Sequence, residues 1–356
     1  MAGASGAPSS GAVVVVDGVD APASPSEAVP ATAAAWLEEW APLGAYTATR
    51  TTGQNARLSR WDAHAKRLRG MLSALREHDP ASFASAPELP ATDEAMRALV
   101  APTVERALAR RRAVDVRDDG ESMVAVAVSP AASLGAWRVG AHACAFDAGA
   151  RLPRATCAVV PDSKRAWPSV KDTAWPKRRR ALVEDTRAAE LEDVAHRDCE
   201  PFDEILLSDA AGDALAEGGV TNVFVVVARR GVTQESETQR VDPAGSRTCD
   251  VFVRTAPVSE CLAGVGRAEA IEACAALGVR VEETTPRLSE RLCSERGEVW
   301  QEAFLTNATR GVRGVREIRS APGTHPRVSV TFDRQGTESV TSRLEAYFEN
   351  RAREGY

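Results

Sequence analysis

The sequence predicts an α+β protein of two domains, and three observations carry that expectation. At 356 residues the chain is long enough for about two cores. Residues 46–160 read as a hairpin, two helices and then further strands, an α+β order. Further on, Val223–Val227 is an unbroken apolar run, suited to a buried strand.

The elements follow in order. Ala31–Trp40 has helical composition and is closed by Pro42 and Gly44. Tyr46–Arg50 alternates like a strand, Thr51–Gln54 is a turn, and Ala56–Leu58 begins the return strand. Trp61–Glu77 is an amphipathic helix with Trp61, His64, Leu68, Met71, Leu72 and Leu75 near one face. Arg67 sits at the edge of that face. Asp93–Arg112 is a second helix, and Ser122–Ser129, Trp137–Cys144 and Thr156–Val160 are strands.

Pro161–Pro168 reads as a crossover loop, and Pro176 is placed to be the first residue of a charged helix reaching about Ala195. Glu204–Ser208 and Val223–Val227 are strands around turn chemistry at Asp209–Asp213. The polar stretch 228–250 reads as an exposed insertion. Strands at Val251–Thr255, Val279–Glu283, Ala303–Thr306 and Val312–Ile318 enclose helices at Ala268–Leu277 and Leu288–Leu292, and Thr337–Arg353 is the last helix. The expected division is a disordered or loosely packed arm over 1–30, a small domain over 31–160, a loop over 161–168 and a larger domain over 169–356.

Composition excludes some classes. A net charge of −6 argues against nucleic-acid binding, which needs a basic excess. No apolar run is long enough to span a membrane. Seven cysteines without CxxC or zinc-type spacing suggest reduced thiols in an intracellular protein, with no metal site. The first 49 residues contain no Arg or Lys, unlike a targeting peptide, so the cytoplasm is the expected location.

Of 44 basic residues only Lys66, Lys164, Lys171 and Lys177 are lysines. In so arginine-rich a chain a lysine is informative, because chemistry that needs a primary amine cannot use a guanidinium. Glu217 is the second notable residue. It lies among Ala, Gly and Val just before a buried strand, so it either faces water or needs a cationic partner. Gly264-Val265-Gly266 at a helix start offers free backbone N–H groups to an anion, Thr306-Asn307 offers hydroxyl and amide donors, and Arg67 adds a permanent cation. Each also has an ordinary structural reading as cap, turn or snorkelling side chain. Amine, anion site and carboxylate together are what pyridoxal 5'-phosphate requires.

The order of these pieces resembles the class IV, fold type IV, pyridoxal-phosphate enzymes, which include branched-chain and D-amino-acid aminotransferases and aminodeoxychorismate lyases. His64-Ala-Lys-Arg67-Leu68 resembles the family's HxxRL motif, and Lys171 with Trp175 its lysine followed by an aromatic. Glu217-Gly-Gly-Val-Thr221-Asn222-Val-Phe224 resembles E-x-x-x-x-N-x-F, Leu262-Ala-Gly264-Val265-Gly266-Arg267 resembles L-x-G-[IV]-x-R, and Phe304-Leu-Thr306-Asn307 the last phosphate turn. The nearest likeness is to a plant and algal branch sharing Val170-Lys171-x-x-x-Trp175. Trp175 stands where better-known members have tyrosine, and Gly266 where they have a hydroxyl residue.

The resemblance implies a small N-terminal domain, a larger C-terminal pseudo-barrel, a cofactor cleft between them and a homodimer. It implies catalysis by Lys171 through a Schiff base. Arg67, Glu217, Thr221, Asn222, Val265, Gly266, Thr306 and Asn307 are expected around the cofactor, with Glu217 on the pyridine nitrogen. Tyr46, Arg50 and Arg310 are the substrate-binding candidates. The implied reaction is transamination between an amino acid and a 2-oxo acid. The alternatives are 4-amino-4-deoxychorismate lysis and a catalytically idle cofactor carrier.

Overall fold

The computed structural model describes residues 12–20, 29–52, 57–114, 120–131, 135–147, 152–193, 200–230, 249–293, 297–322, 327–333, 336 and 338–354. The chain divides into two compact units, 1–151 with 169–182 and 350–356, and 152–168 with 183–349.

The first unit contains β1 (Val13–Val16), β2 (Val19–Asp20), α1 (Ala33–Glu38), β3 (Ala45–Thr52), β4 (Arg57–Leu58), α2 (Trp61–His78), α3 (Asp93–Val114), β5 (Glu121–Ala131) and β6 (Ala136–Phe146). Its six strands form an antiparallel sheet in the order β2-β1-β6-β5-β3-β4. Thr32 caps α1 by accepting a hydrogen bond from Ala35 N–H, and the helix packs Trp36 and Leu37 on Tyr46, Ala125 and Ala127. The helix α2 buries the expected stripe from His64 to Leu75, with Ala65 added and Trp61 only half-buried.

Part of the expected loose arm is ordered. Four consecutive valines give β1, which pairs with Gly140–Ala143 of β6. The Asp17–Gly18 turn then fixes it: Asp17 and Val139 exchange hydrogen bonds at 2.7 and 2.8 Å, and Gly18 N–H donates to Thr103. Residues 1–11 and 21–28 of that arm lie outside the described residues, as do the Gly53–Gln54 turn and residues 231–248 of the insertion.

The second unit begins with β7 (Ala155–Val160). The next element, α4 (Trp175–Glu192), has its first eight residues in the first unit. Then come β8 (Glu204–Ser208), β9 (Leu215–Gly218), β10 (Asn222–Arg230), β11 (Cys249–Thr255), α5 (Val265–Ala276), β12 (Arg280–Glu283), a 3-10 turn at Leu288–Glu290, β13 (Leu292–Cys293), β14 (Glu298–Asn307), β15 (Gly311–Ser320), β16 (Ser329–Thr331) and α6 (Val340–Glu354). They build a curled ten-stranded sheet in the order β12-β11-β10-β14-β15-β7-β8-β9, with β13 beside β14 and β16 beside β15. The crossover β11–α5–β12 joins parallel strands, which a short hairpin turn could not do.

The strand β10 explains its own sequence. Val223, Val225 and Val227 enter one core cluster, while Phe224 and Val226 enter another that contains residues of α5 and α6. Both faces are covered, so the run is continuous rather than alternating.

The expected domain boundary shifts in two places. The strand β7 pairs in parallel with β8 and β15, so it belongs to the large sheet and not to the small domain. Residues 169–182 belong instead to the first unit, where Asp172 bridges to Ala45 of β3. Cys144, Cys157, Cys261, Cys274 and Cys293 are free thiols. Among the described residues no helix is long and apolar enough to cross a membrane.

Candidate active site

The Lys171 segment is held by main-chain bonds on both sides. Lys171 N–H donates to Met71 Sδ (3.2 Å) and its carbonyl accepts from Tyr46 N–H (2.9 Å). Two residues on, Thr173 N–H donates to the Gly44 carbonyl (2.8 Å), and Gly44 N–H donates back to Thr173 Oγ1 (3.0 Å). Gly44 is required here, because a Cβ would lie 2.2 Å from the Val128 carbonyl oxygen. Asp172 is buried and accepts from Ala174 N–H and from the Arg178 guanidinium at 2.7 and 2.8 Å. The Lys171 amine then lies 5.1 Å from the centroid of the Tyr46 ring, a cation–π distance.

The other lysines near this stretch differ. Lys164 is ion-paired with Glu260 at 2.7 Å, and Lys177 is exposed on α4. Trp175, the departure from tyrosine, is buried at the start of α4, with the Arg178 guanidinium 5.9 Å from its ring centroid.

In the same unit Arg67 donates to Thr47 Oγ1 at 2.6 Å, and His64 Nδ1 lies 2.6 Å from the same hydroxyl. Burial, followed by the positive charges of Arg67, Lys171 and Arg60, pushes the His64 imidazole well below its usual value. Arg50 is engaged elsewhere than expected. It is ion-paired with Glu121, and its guanidinium lies 5.8 Å from the Phe146 ring centroid.

In the second unit Glu217 lies on β9, a strand that a four-residue run with no periodicity does not announce. Its side chain is buried and does not face water. One oxygen meets Arg165 Nε at 3.1 Å, the other accepts from Leu262 N–H at 3.2 Å, and both side chains of the ion pair are at most 3% exposed. Arg165 is the cationic partner that the sequence demanded but did not identify. It lies in the crossover loop beside a second basic residue, Lys164, and a loop carries no periodic mark.

The turn after Glu217 is organised by a second buried acid. Glu204 accepts from Thr221 Oγ1 (3.1 Å) and Val220 N–H (3.4 Å). The Asn222 amide donates to the Leu262 carbonyl (3.0 Å). Thr221 and Asn222, expected beside the cofactor, therefore direct their side chains to the protein. They position the Glu217 turn and the Leu262–Gly266 loop.

Gly264 caps α5, leaving the first N–H groups of the helix without intrahelical partners. A Cβ on Gly266 would fall 2.5 Å from the Asn307 carbonyl carbon, so only glycine lets α5 begin this close to the β14–β15 turn. This accounts for the missing hydroxyl side chain. Asn307, another expected ligand, uses its Oδ1 to accept from Thr309 N–H, Thr309 Oγ1 and Arg310 N–H, which fixes the turn. Arg310 follows on the exposed side. Thr306 is different: it is buried, and its Oγ1 has no hydrogen-bond partner among the described residues. Arg267 of the same motif is structural, donating to the Ala256 carbonyl and to Glu283.

An orphaned hydroxyl beside free helix-terminal amides fits a phosphate. The sequence profile of the family described as Amino-transferase class IV matches residues 44–318. The chain belongs to the class IV aminotransferases. These are pyridoxal-phosphate enzymes, and the donor set at Val265, Gly266 and Thr306 is compatible with that cofactor.

Solved structures agree on the fold. A hypothetical aminotransferase from Mycobacterium tuberculosis in its apo form is 15% identical, over 96% of this chain and 98% of that one, with a TM-score of 0.60. A branched-chain aminotransferase from Thermoproteus uzoniensis with norvaline is 18% identical over 96% and 94%, with a TM-score of 0.54. A fold IV transaminase from Curtobacterium pusillum is 15% identical over 97% and 99%, with a TM-score of 0.57. No match was found among curated protein sequences.

Proposed function

We propose that this class IV aminotransferase is a pyridoxal-phosphate-dependent transaminase in which Lys171 is the catalytic amine. The observation that supports it most directly is the Lys171 segment itself. Its backbone is bonded to Met71, Tyr46 and Gly44, so the amine is presented on a fixed base against the Tyr46 ring.

When bound, pyridoxal phosphate supplies an aldehyde for amines and a ring that withdraws electrons from the substrate Cα. In this reading the Lys171 amine would hold the cofactor at its aldehyde and would be the base for the substrate Cα proton. Glu217 would keep a proton on the pyridine nitrogen, with Arg165 compensating that buried carboxylate. Arg67, the first N–H groups of α5 at Val265 and Gly266, and Thr306 Oγ1 are the residues that would hold the phosphate. Thr221, Asn222 and Asn307 shape the loops that carry these groups. Arg310, exposed just after the turn, is the candidate for the substrate carboxylate, with Tyr46 lining the amine's side. A homodimer belongs to the same reading, and sedimentation of the purified protein measures it.

The idle-carrier alternative loses one of its supports. Gly266 is explained by close packing against Asn307 and does not indicate a decayed site. Borohydride reduction of the loaded protein followed by peptide mass spectrometry should find the pyridoxyl group on Lys171, and Lys171→Ala should carry none. Label on another lysine, or undiminished label in Lys171→Ala, would refute the assignment. An amino-donor panel should convert the cofactor to its amine form. Pyruvate release from aminodeoxychorismate without that conversion would favour the lyase.

A further inference from the structure

The HxxRL segment contains a hydrogen-bond chain that the proposed reaction does not use directly. Thr47 lies on β3, wholly buried, and two α2 side chains converge on its hydroxyl. Arg67 donates an N–H to Thr47 Oγ1 at 2.6 Å, and His64 Nδ1 approaches the same oxygen at 2.6 Å. His64 is also wholly buried, and its Nε2 has no hydrogen-bond partner among the described residues.

Counting protons decides which way the chain runs. The guanidinium has no lone pair to accept with, so Thr47 accepts from Arg67. If His64 also donated from Nδ1, the threonine proton would be left without an acceptor and Nε2 would be an unmatched acceptor. If Thr47 donates to Nδ1, only the Nε2 hydrogen remains unmatched. The second arrangement leaves one fewer buried polar atom unsatisfied. It requires a neutral imidazole. Burial and the charges of Arg67, Lys171 and Arg60 all act in that direction.

We infer that Arg67, Thr47 and His64 form a directed relay, Arg67 donating to Thr47 and Thr47 to neutral His64 Nδ1, which aims the Arg67 guanidinium for phosphate. Thr47 and His64 are then positioning residues, and the inference rests on the reading of Arg67 as a phosphate ligand. An arginine at the edge of a helix face has many rotamers. A bond to a buried hydroxyl on the neighbouring strand removes most of them.

The test uses full-length protein stripped of cofactor and titrated with pyridoxal phosphate and with pyridoxal, which lacks the phosphate. Thr47→Val should weaken pyridoxal phosphate about tenfold and leave pyridoxal unchanged, whereas Thr47→Ser should restore wild-type preference. Arg67→Ala should lose at least as much as Thr47→Val. If Arg67→Ala loses the preference and Thr47→Val keeps it, the relay is wrong and the phosphate role stands. If Arg67→Ala itself keeps the preference, the phosphate reading fails and takes the relay's purpose with it. Nitrogen NMR of His64 in the unmodified protein is independent of variant folding. It should show a neutral ring protonated on Nε2 at about pH 6–8. A proton on Nδ1 would overturn the relay.

Discussion

The lysine-bearing and acid-bearing segments are secured by opposite means. Lys171 is fixed through its backbone: both of its peptide groups and that of Thr173 are bonded to β3, α2 or Gly44, and its amine lies over the Tyr46 ring. Glu217 is fixed through its side chain, which Arg165 and Leu262 hold in a nearly dry setting. The difference teaches what each segment tolerates. A segment held by its own peptide groups depends little on charged neighbours, whereas a side-chain-held charge depends on its partner.

Breaking that contrast gives the largest expected effect at Arg165. Arg165→Met removes the cation that meets the buried Glu217, which should lower the unfolding free energy by about 3–5 kcal/mol in a denaturant titration. Adding Glu217→Gln to that variant should recover most of the loss, because no charge remains to compensate. A single-variant loss below about 1 kcal/mol would mean that the pair does not secure the segment.

Gly266→Ala comes next. The added Cβ must displace the Asn307 backbone, so stability should fall by about 1–3 kcal/mol and pyridoxal phosphate should bind more weakly in a spectroscopic titration. Unchanged stability would show that the α5 start has slack.

The histidine of the lysine-bearing unit adds a pH dependence. Folding holds His64 well below the usual imidazole value of 6.5, so the folded state resists the proton that the unfolded chain accepts. Its contribution is therefore fully present above about pH 6.5 and declines as pH falls toward the folded value. His142 is lowered by burial and acts with the same sign. Thermal midpoints measured from pH 7.5 down to 5.5 should drop, and His64→Asn should flatten part of that slope.

The smallest effect is expected at Asp172→Asn. It weakens an ion pair whose Arg178 partner is half exposed, worth about 1 kcal/mol or less, while the main-chain bonds around Lys171 remain. Thermal unfolding should change little and borohydride labelling of Lys171 should persist. Loss of labelling would show that side chains secure this segment after all.

Most of the fold was legible because its elements have strong periods. The stripe on α2 and the double-faced apolar run of β10 both appear as the sequence suggests. The short strands β9, β13 and β16 escaped, since two to four residues cannot display a period and their pairing is set by tertiary context. For the candidate site, residue type was legible and partnership was not. Lys171, Glu217 and Thr306 stand out by chemistry. Nothing local in the sequence distinguishes Arg165, which meets Glu217, from Arg50, which meets Glu121, because pairing across 52 or 71 positions leaves no sequence mark. The partners of Thr221, Asn222 and Asn307 were illegible for a related reason: a polar side chain in a motif can serve a loop as readily as a ligand.

The main-chain tie between β3 and the lysine segment also has a kinetic side. With its Cα anchored at Tyr46, the Lys171 amine sweeps only the small volume its four methylenes can reach. An amine on so short a leash stays at high effective concentration around its anchor. Its encounter with any carbonyl held within that volume is then a unimolecular event. The position of that anchor, set by a hydrogen bond to the neighbouring strand, determines which carbonyls the lysine can meet.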